Sequence, residues 1–163
     1  MPLHQAYIGL GSNLSGPVEQ VTLALSLLDS IPNTRVIKSS QLYGSKPQGP
    51  QDQPDFVNAV SLIETTLAPL ELLDQLQQIE EQQGRIKKRH WGERVIDLDL
   101  ILYDDQEIES ERLSVPHKQM KNRDFVLVPL YEISPGLFIP GLGSLNQLLS
   151  QLKTTFVKPW QCK

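Results

Sequence analysis

The chain has 163 residues, 39% hydrophobic and 21% charged, with 22 Gly and Pro together, a globular composition neither disordered nor collagen-like. Its formal charge of −4 argues against a general nucleic-acid or anionic-membrane binder. A single cysteine, Cys162, excludes an intramolecular disulfide or a cysteine metal site. No apolar run approaches the roughly 20 residues of a membrane span, and the first residues lack the charged and apolar regions of a signal peptide. The expectation is one reduced, cytoplasmic domain over residues 1–163.

In chain order, Ala6 to Leu10 read as a short apolar strand running into Gly11, Ser12 and Asn13. Pro17 suits the first turn of a helix in which Val18, Val21, Leu25 and Leu28 recur at helical spacing. Residues 35–43 and 56–64 read as two further strands. A second helix starts near Pro69, places Leu70, Leu73, Leu76 and Ile79 on one side, and stops at Gly84, a residue suited to a C-terminal cap. The strand VIDLDLILY follows over 95–103. The order βαββαβ predicts an α+β ferredoxin-like sandwich, with an antiparallel sheet, helices on one face and the active site on the other. Extra C-terminal helices are expected over Phe125 to Ile133 and Leu145 to Leu152, and Ile108 with Leu113 in extra strand pairing.

Two long polar connections interrupt this pattern. Residues 44–55 hold three prolines, two glycines and almost nothing suited to a core. Residues 85–94 carry Arg85, Lys87, Lys88, Arg89 and Arg94 against Glu93 alone, a net +4 on a chain whose remainder carries −8. Such a stretch on an acidic protein points to a local anion site. Trp91 within it suits a ring that covers a planar ligand, or one that anchors the loop.

Side chains alternate along a strand, so Val95, Asp97, Asp99, Ile101 and Tyr103 are expected on one face and Ile96, Leu98, Leu100 and Leu102 on the core side. Two carboxylates about 7 Å apart along a strand repel unless cations lie between them. Hard oxygen ligands suit Mg²⁺, which takes its remaining ligands from water and substrate phosphates. Acids for metal beside cations for phosphate are the components of phosphoryl transfer. Phe56 and Asn58, two residues apart, could hold a flat heterocycle by stacking and hydrogen bonding. Arg112, His117 and Arg123 form a second group of anion-binding types. Gly9-Leu10-Gly11-Ser12-Asn13 matches neither the Walker A pattern nor the dinucleotide fingerprint and reads as a tight turn.

The segments YIGLGSNL, PQGPQDQPDFVNAV, RHWGERVIDLDLILY and RLSVPHKQMKNRDFVLVPL together resemble the 6-hydroxymethyl-7,8-dihydropterin pyrophosphokinase family, from about residue 6 to 140. The resemblance implies transfer of diphosphate from ATP to the pterin hydroxymethyl group with release of AMP, a step of folate biosynthesis, and two Mg²⁺ ions on Asp97 and Asp99. It implies catalytic roles for Arg85 and Arg94 with the acid pair. Ser45, Phe56, Asn58 and Phe125 are implied as pterin contacts, with Trp91 closing nearby. Gln77, Glu80 and Trp91 are implied at the nucleotide, and Arg85, Lys87, Arg94, Arg112, Ser114, His117 and Arg123 as phosphate or nucleotide ligands. Gly11, Ser12 and Asn13 resemble the family's first flexible loop. Lys87 stands where the family often has arginine, giving a point charge in place of a bidentate fork.

Other classes fit less well. An RNA recognition module shares the βαββαβ order, but its central strands need exposed aromatics where this chain has Asp97 and Asp99. A nucleotidyltransferase using the same acid pair would release diphosphate rather than AMP. The expected partners are ATP and the reduced pterin, with no nucleic acid and no membrane, and a monomer is expected.

Overall fold

The computed structural model describes residues 2–13, 16–45, 55–83, 95–118, 120, 123–152 and 157–159. Its elements are β1 (His4–Ser12), α1 (Pro17–Asp29), β2 (Thr34–Ser39), β3 (Tyr43–Ser45), β4 (Phe56–Thr65), α2 (Pro69–Gln82), β5 (Asp97–Tyr103), β6 (Ile108–Glu109), β7 (Ser114–Val115), α3 (Asp124–Ile133), β8 (Phe138–Ile139), β9 (Gly143–Ser144), α4 (Leu145–Ser150) and β10 (Lys158–Pro159). β4 and β1 are central, β5 pairs the other side of β1, and β2 and β3 both pair β4; every pairing is antiparallel. This is the ferredoxin-like arrangement expected from the element order.

The glycine-bearing segment after Leu10 is not a turn. β1 continues through Gly11 and Ser12, which pair with Asn58 and Val57 of β4, and Ser12 and Asn13 are buried. The expected strand 35–43 is two strands, because the chain breaks pairing after Ser39. The Ser40 N–H then donates to the Val60 carbonyl, while the Val60 N–H donates to Ser40 Oγ. In α2 the buried stripe is Leu72, Leu76, Ile79 and Glu80 rather than the expected Leu70, Leu73, Leu76 and Ile79. Leu70 lies in the first turn and is 44% exposed, so the helix is rotated about one position from the expected face.

α1 and α2 cover one face of the sheet, where Ile8, Leu10, Val57, Ile63, Leu98 and Leu100 meet Val21, Leu28, Leu72 and Leu76. A second core lies on the opposite face, with Tyr7, Val60, Leu62, Ile101 and Leu102 beneath Val126, Leu127, Leu130, Leu145 and Leu148 of α3 and α4. The helices are therefore not confined to one face. Each such buried aliphatic side chain contributes about 1.5–3 kcal/mol. Asn58, Gly11, Asp97 and Asp99 lie outside this second core.

The boundary between the second core and these residues is a β-bulge. Tyr7 pairs with Leu102 and Ile8 with Leu100, so Ile101 has no opposite residue on β1. The bulge breaks the expected alternation: Ile101 and Leu102 both join the second core, and Tyr103 turns to the first, where its hydroxyl donates to the Leu67 carbonyl at 2.5 Å. The alternation of Asp97 through Leu100 stands, because it lies before the bulge.

Candidate active site

The part of this face outside the second core is built across three strands. Gly11 pairs with Asn58 of β4 on one side and Asp97 of β5 on the other, and Gly9 pairs with Asp99. Asn58, Gly11 and Asp97 thus form one cross-strand row, with about 10 Å between the outer α-carbons at ordinary strand spacing. Without side chains, Gly9 and Gly11 leave a floor between the amide and the acids. A Cβ at Gly11 would come within 3.0 Å of Asn58 Nδ2, and one at Gly9 within 3.0 Å of Ile101 Cδ1.

On the β4 side, Ser45 Oγ donates to Asn58 Oδ1 at 2.5 Å, and both residues are 5% exposed. That bond uses the amide's oxygen and leaves its NH₂ toward the Gly11 floor. Phe56, opposite Ser45, is partly buried, and its ring would lie 3.8 Å from a Gly11 Cβ. A buried amide donor beside an aromatic edge suits a flat polar ring.

On the β5 side, Asp97 and Asp99 are half-buried and share this face. Among the described residues no group of three or more His, Cys, Asp or Glu could hold a metal, so the two carboxylates make a partial shell for a hard divalent cation, completed by water and phosphate oxygens. That donor set fits the expected metal. His117 and Arg123 lie against it. The bulge places His117, because its backbone N–H donates to the Ile101 carbonyl at 3.1 Å. Burial pushes the His117 imidazole below its ordinary range; Asp99 opposes this and Arg123 adds to it. Burial likewise lowers Arg123, against the pull of Asp99 and then Asp97. Its guanidinium also stands 5.4 Å from the Phe125 ring centroid, which ties the acid pair to the first turn of α3.

The depressed His117 has a stability consequence. Its folded pKa lies below the ordinary 6.5, so in that interval the unfolded chain holds more protons. The contribution of the neutral imidazole is complete above pH 6.5 and is lost as pH falls through the folded value. Urea unfolding between pH 7 and pH 5 is expected to show a steeper loss in the wild type than in His117→Gln. Equal slopes would contradict the buried, neutral assignment.

Farther along the acid side, Arg112 pairs with Asp74 Oδ1 at 2.5 Å and donates to Gln77 Oε1 at 3.3 Å. Arg112 and Gln77, expected together at the nucleotide, are in contact. Asp74 was absent from the expected set; its position three residues before Gln77 on the exposed side of α2 was the available signal. Ser114 lies on β7, opposite Glu109. Glu80, also expected at the nucleotide, is 5% exposed, and its Oε2 accepts from the Leu98 N–H at 2.8 Å. Gly9 is the other position missed, and two glycines spaced by two in a strand pattern were its signal. The expected positions Arg85, Lys87, Trp91 and Arg94, with Lys88, Arg89 and most of 44–55, lie outside the described residues.

A ferredoxin-like sheet that sets an acid pair, with Arg123 against it, beside a buried amide and an aromatic ring suits an enzyme domain of the phosphoryl-transfer kind. The chain belongs to the 7,8-dihydro-6-hydroxymethylpterin-pyrophosphokinase (HPPK) family, whose profile matches residues 7–135. It is 53% identical over 146 residues to the 2-amino-4-hydroxy-6-hydroxymethyldihydropteridine pyrophosphokinase of Haemophilus influenzae, covering 90% of this chain and 91% of that one. It is 47% identical over 148 residues to the Pseudomonas aeruginosa protein of the same name, covering 91% of each. Among solved structures, the wild-type Plasmodium falciparum HPPK-DHPS with SDX-DHP aligns with TM-score 0.69 at 15% identity, and a triple mutant with STZ-DHP with TM-score 0.74 at 16%. These likenesses, in which this chain covers 91–92% of itself but only 43% of the other, concern the fold alone.

Proposed function

We propose that this protein transfers diphosphate from ATP to the hydroxymethyl group of 6-hydroxymethyl-7,8-dihydropterin, giving the pterin diphosphate and AMP. The observation that carries this reading is the Asn58–Gly11–Asp97 row, which sets a ring-binding pocket and an acid pair side by side on one face of the sheet. In this reading residues 1–163 are a single pyrophosphokinase domain, acting as a cytoplasmic monomer. Among the described residues, no helix is long and apolar enough to cross a membrane.

The pterin would lie against Phe56 and Phe125, hydrogen-bonded by Asn58, which Ser45 orients through its oxygen. Asp97 and Asp99 would hold two Mg²⁺ ions. When bound, these offset the triphosphate charge and increase the acidity of the pterin hydroxyl. His117 and Arg123 flank the acids on the phosphate side. His117, whose charged form burial disfavours, would serve there as a hydrogen-bonding group. Arg112 and Gln77 would receive the nucleotide from α2, with Glu80 and Ser114 nearby. The hydroxyl oxygen forms a bond to the β-phosphorus as the bond from that phosphorus to the AMP oxygen breaks, and the hydroxyl proton passes to water. Arg85, Lys87 and Arg94 would neutralise the charge that develops, and Trp91 would cover the pterin and exclude water, limiting ATP hydrolysis.

Gly11→Ala is expected to displace the Asn58 amide, because its Cβ would meet Nδ2 at 3.0 Å. Overpacking of this kind costs about 1–3 kcal/mol. Calorimetry should show weaker pterin binding and little change for the nucleotide; unchanged pterin affinity would remove Asn58 from the pocket. The function itself is tested by incubating the protein with ATP, Mg²⁺ and the pterin alcohol. AMP should accumulate only when all three are present, and AMP formation independent of the pterin would contradict the reading.

A further inference from the structure

Glu80 lies two residues before the end of α2 and is 5% exposed. A carboxylate there is electrostatically adverse on two counts. Burial removes its hydration, and the C-terminal turn of a helix carries partial negative charge. The adjoining strand also carries Asp97 and Asp99. Such a residue needs strong compensation where it stands.

The compensation includes a bond to β5. Among the described residues that strand ends the sheet on its side, and no described strand pairs with its outward N–H groups. The outward N–H of Leu98 donates to Glu80 Oε2 at 2.8 Å. Leu98 is the residue between the two acids. Its own side chain enters the core that contains Leu76 and Ile79 of α2, and those of Asp97 and Asp99 emerge on the other face. The inner side of β5 is fixed by the pairing of Asp97 with Gly11 and Asp99 with Gly9. Glu80 fixes the outer side at the midpoint between them.

We infer that Glu80 is a positioning residue, whose carboxylate anchors the Leu98 N–H and thereby holds Asp97 and Asp99 at the spacing and tilt that bind divalent cations. A charged acceptor makes a bond roughly twice as strong as a neutral one, which explains an acid at so costly a position. The inference rests on the reading of Asp97 and Asp99 as the metal-binding pair and assigns Glu80 a different task from nucleotide contact.

The test uses Glu80→Ala and Glu80→Gln in the full chain. Two readouts are taken: amide hydrogen exchange at Leu98 in the metal-free protein, and Mn²⁺ affinity by electron paramagnetic resonance with a non-hydrolysable ATP analogue. In Glu80→Ala, Leu98 should lose protection while the amides of α1 keep theirs, and Mn²⁺ affinity should fall about 10–100-fold, the usual cost of removing a group that orients metal ligands. Glu80→Gln keeps a weaker, neutral acceptor and should show clearly smaller losses of both than Glu80→Ala. Where Glu80→Ala does not fold, Glu80→Asp, which withdraws the carboxylate by one methylene, should show the same two losses. Unchanged Leu98 exchange and Mn²⁺ affinity with a raised KM for ATP would make Glu80 a nucleotide contact and overturn the inference. Equal Mn²⁺ weakening in the Ala and Gln variants with Leu98 still protected would assign the effect to charge alone and also overturn it. Asp97→Asn serves as the control: if it leaves Mn²⁺ affinity intact, the metal-pair reading itself fails, whereas Leu98 exchange still reports the Glu80 bond.

Discussion

Asp97→Asn and Asp99→Asn should each abolish measurable turnover while leaving the fold intact. Loss of one neutral transition-state donor costs roughly 10²–10³ in rate, and loss of a carboxylate that holds a metal should exceed that. Both side chains lie outside the two cores, and the amide is nearly isosteric. Each single variant should therefore stay within about 1 kcal/mol of wild-type stability in urea unfolding. The double variant should lose more than the sum of the two, because the partly buried Arg123 guanidinium would then have lost both carboxylates that favour its charge. Near-normal activity in either single variant would remove the acid pair from the mechanism. Marked unfolding of a single variant would make its role structural.

Arg94→Ala should reduce the chemical step by several orders of magnitude and change ATP affinity far less. Arg94 precedes Asp97 by three residues, so the chain holds its α-carbon within about 11 Å of that of Asp97. It belongs to the stretch with net charge +4, close to where a triphosphate on the acid pair would lie. A cation engaged only when both substrates are in place stabilises the transition state more than the ground state. Single-turnover measurements should therefore separate a large loss in rate from a small loss in nucleotide binding. If chemistry stayed near wild type and nucleotide binding weakened instead, Arg94 would be a ground-state ligand.

The element order and the acid pair were legible because both depend on local patterns. Strand alternation over Asp97 to Leu100 needs only the strand itself, and the helices were marked by Pro17, Pro69 and their apolar spacing. What the pattern missed depends on partners distant in sequence. The bulge at Ile101 arises from how β5 registers on β1, so nothing within VIDLDLILY announces that Leu102 and Tyr103 exchange faces. Gly11 read as part of a turn because glycine favours turns, whereas its pairing with β4 and β5 makes it, with Gly9, the flat floor of the site. Glu80 was expected at the nucleotide through the resemblance alone, and nothing in the helix pattern marks it as buried. Its burial goes with a partner distant in sequence, the Leu98 N–H of β5, which ends the sheet among the described residues.

The fate of the β-phosphorus tests the central claim most directly. ATP labelled with ³²P at the β-position is incubated with the protein, Mg²⁺ and the pterin alcohol, and the products are separated. The label should appear in the pterin diphosphate, with AMP unlabelled and no free labelled diphosphate, and Asp97→Asn should yield none of it. Label in free diphosphate together with an adenylylated pterin would show nucleotidyl transfer on the same acid pair, and label in ADP would show single-phosphoryl transfer; either would contradict the account.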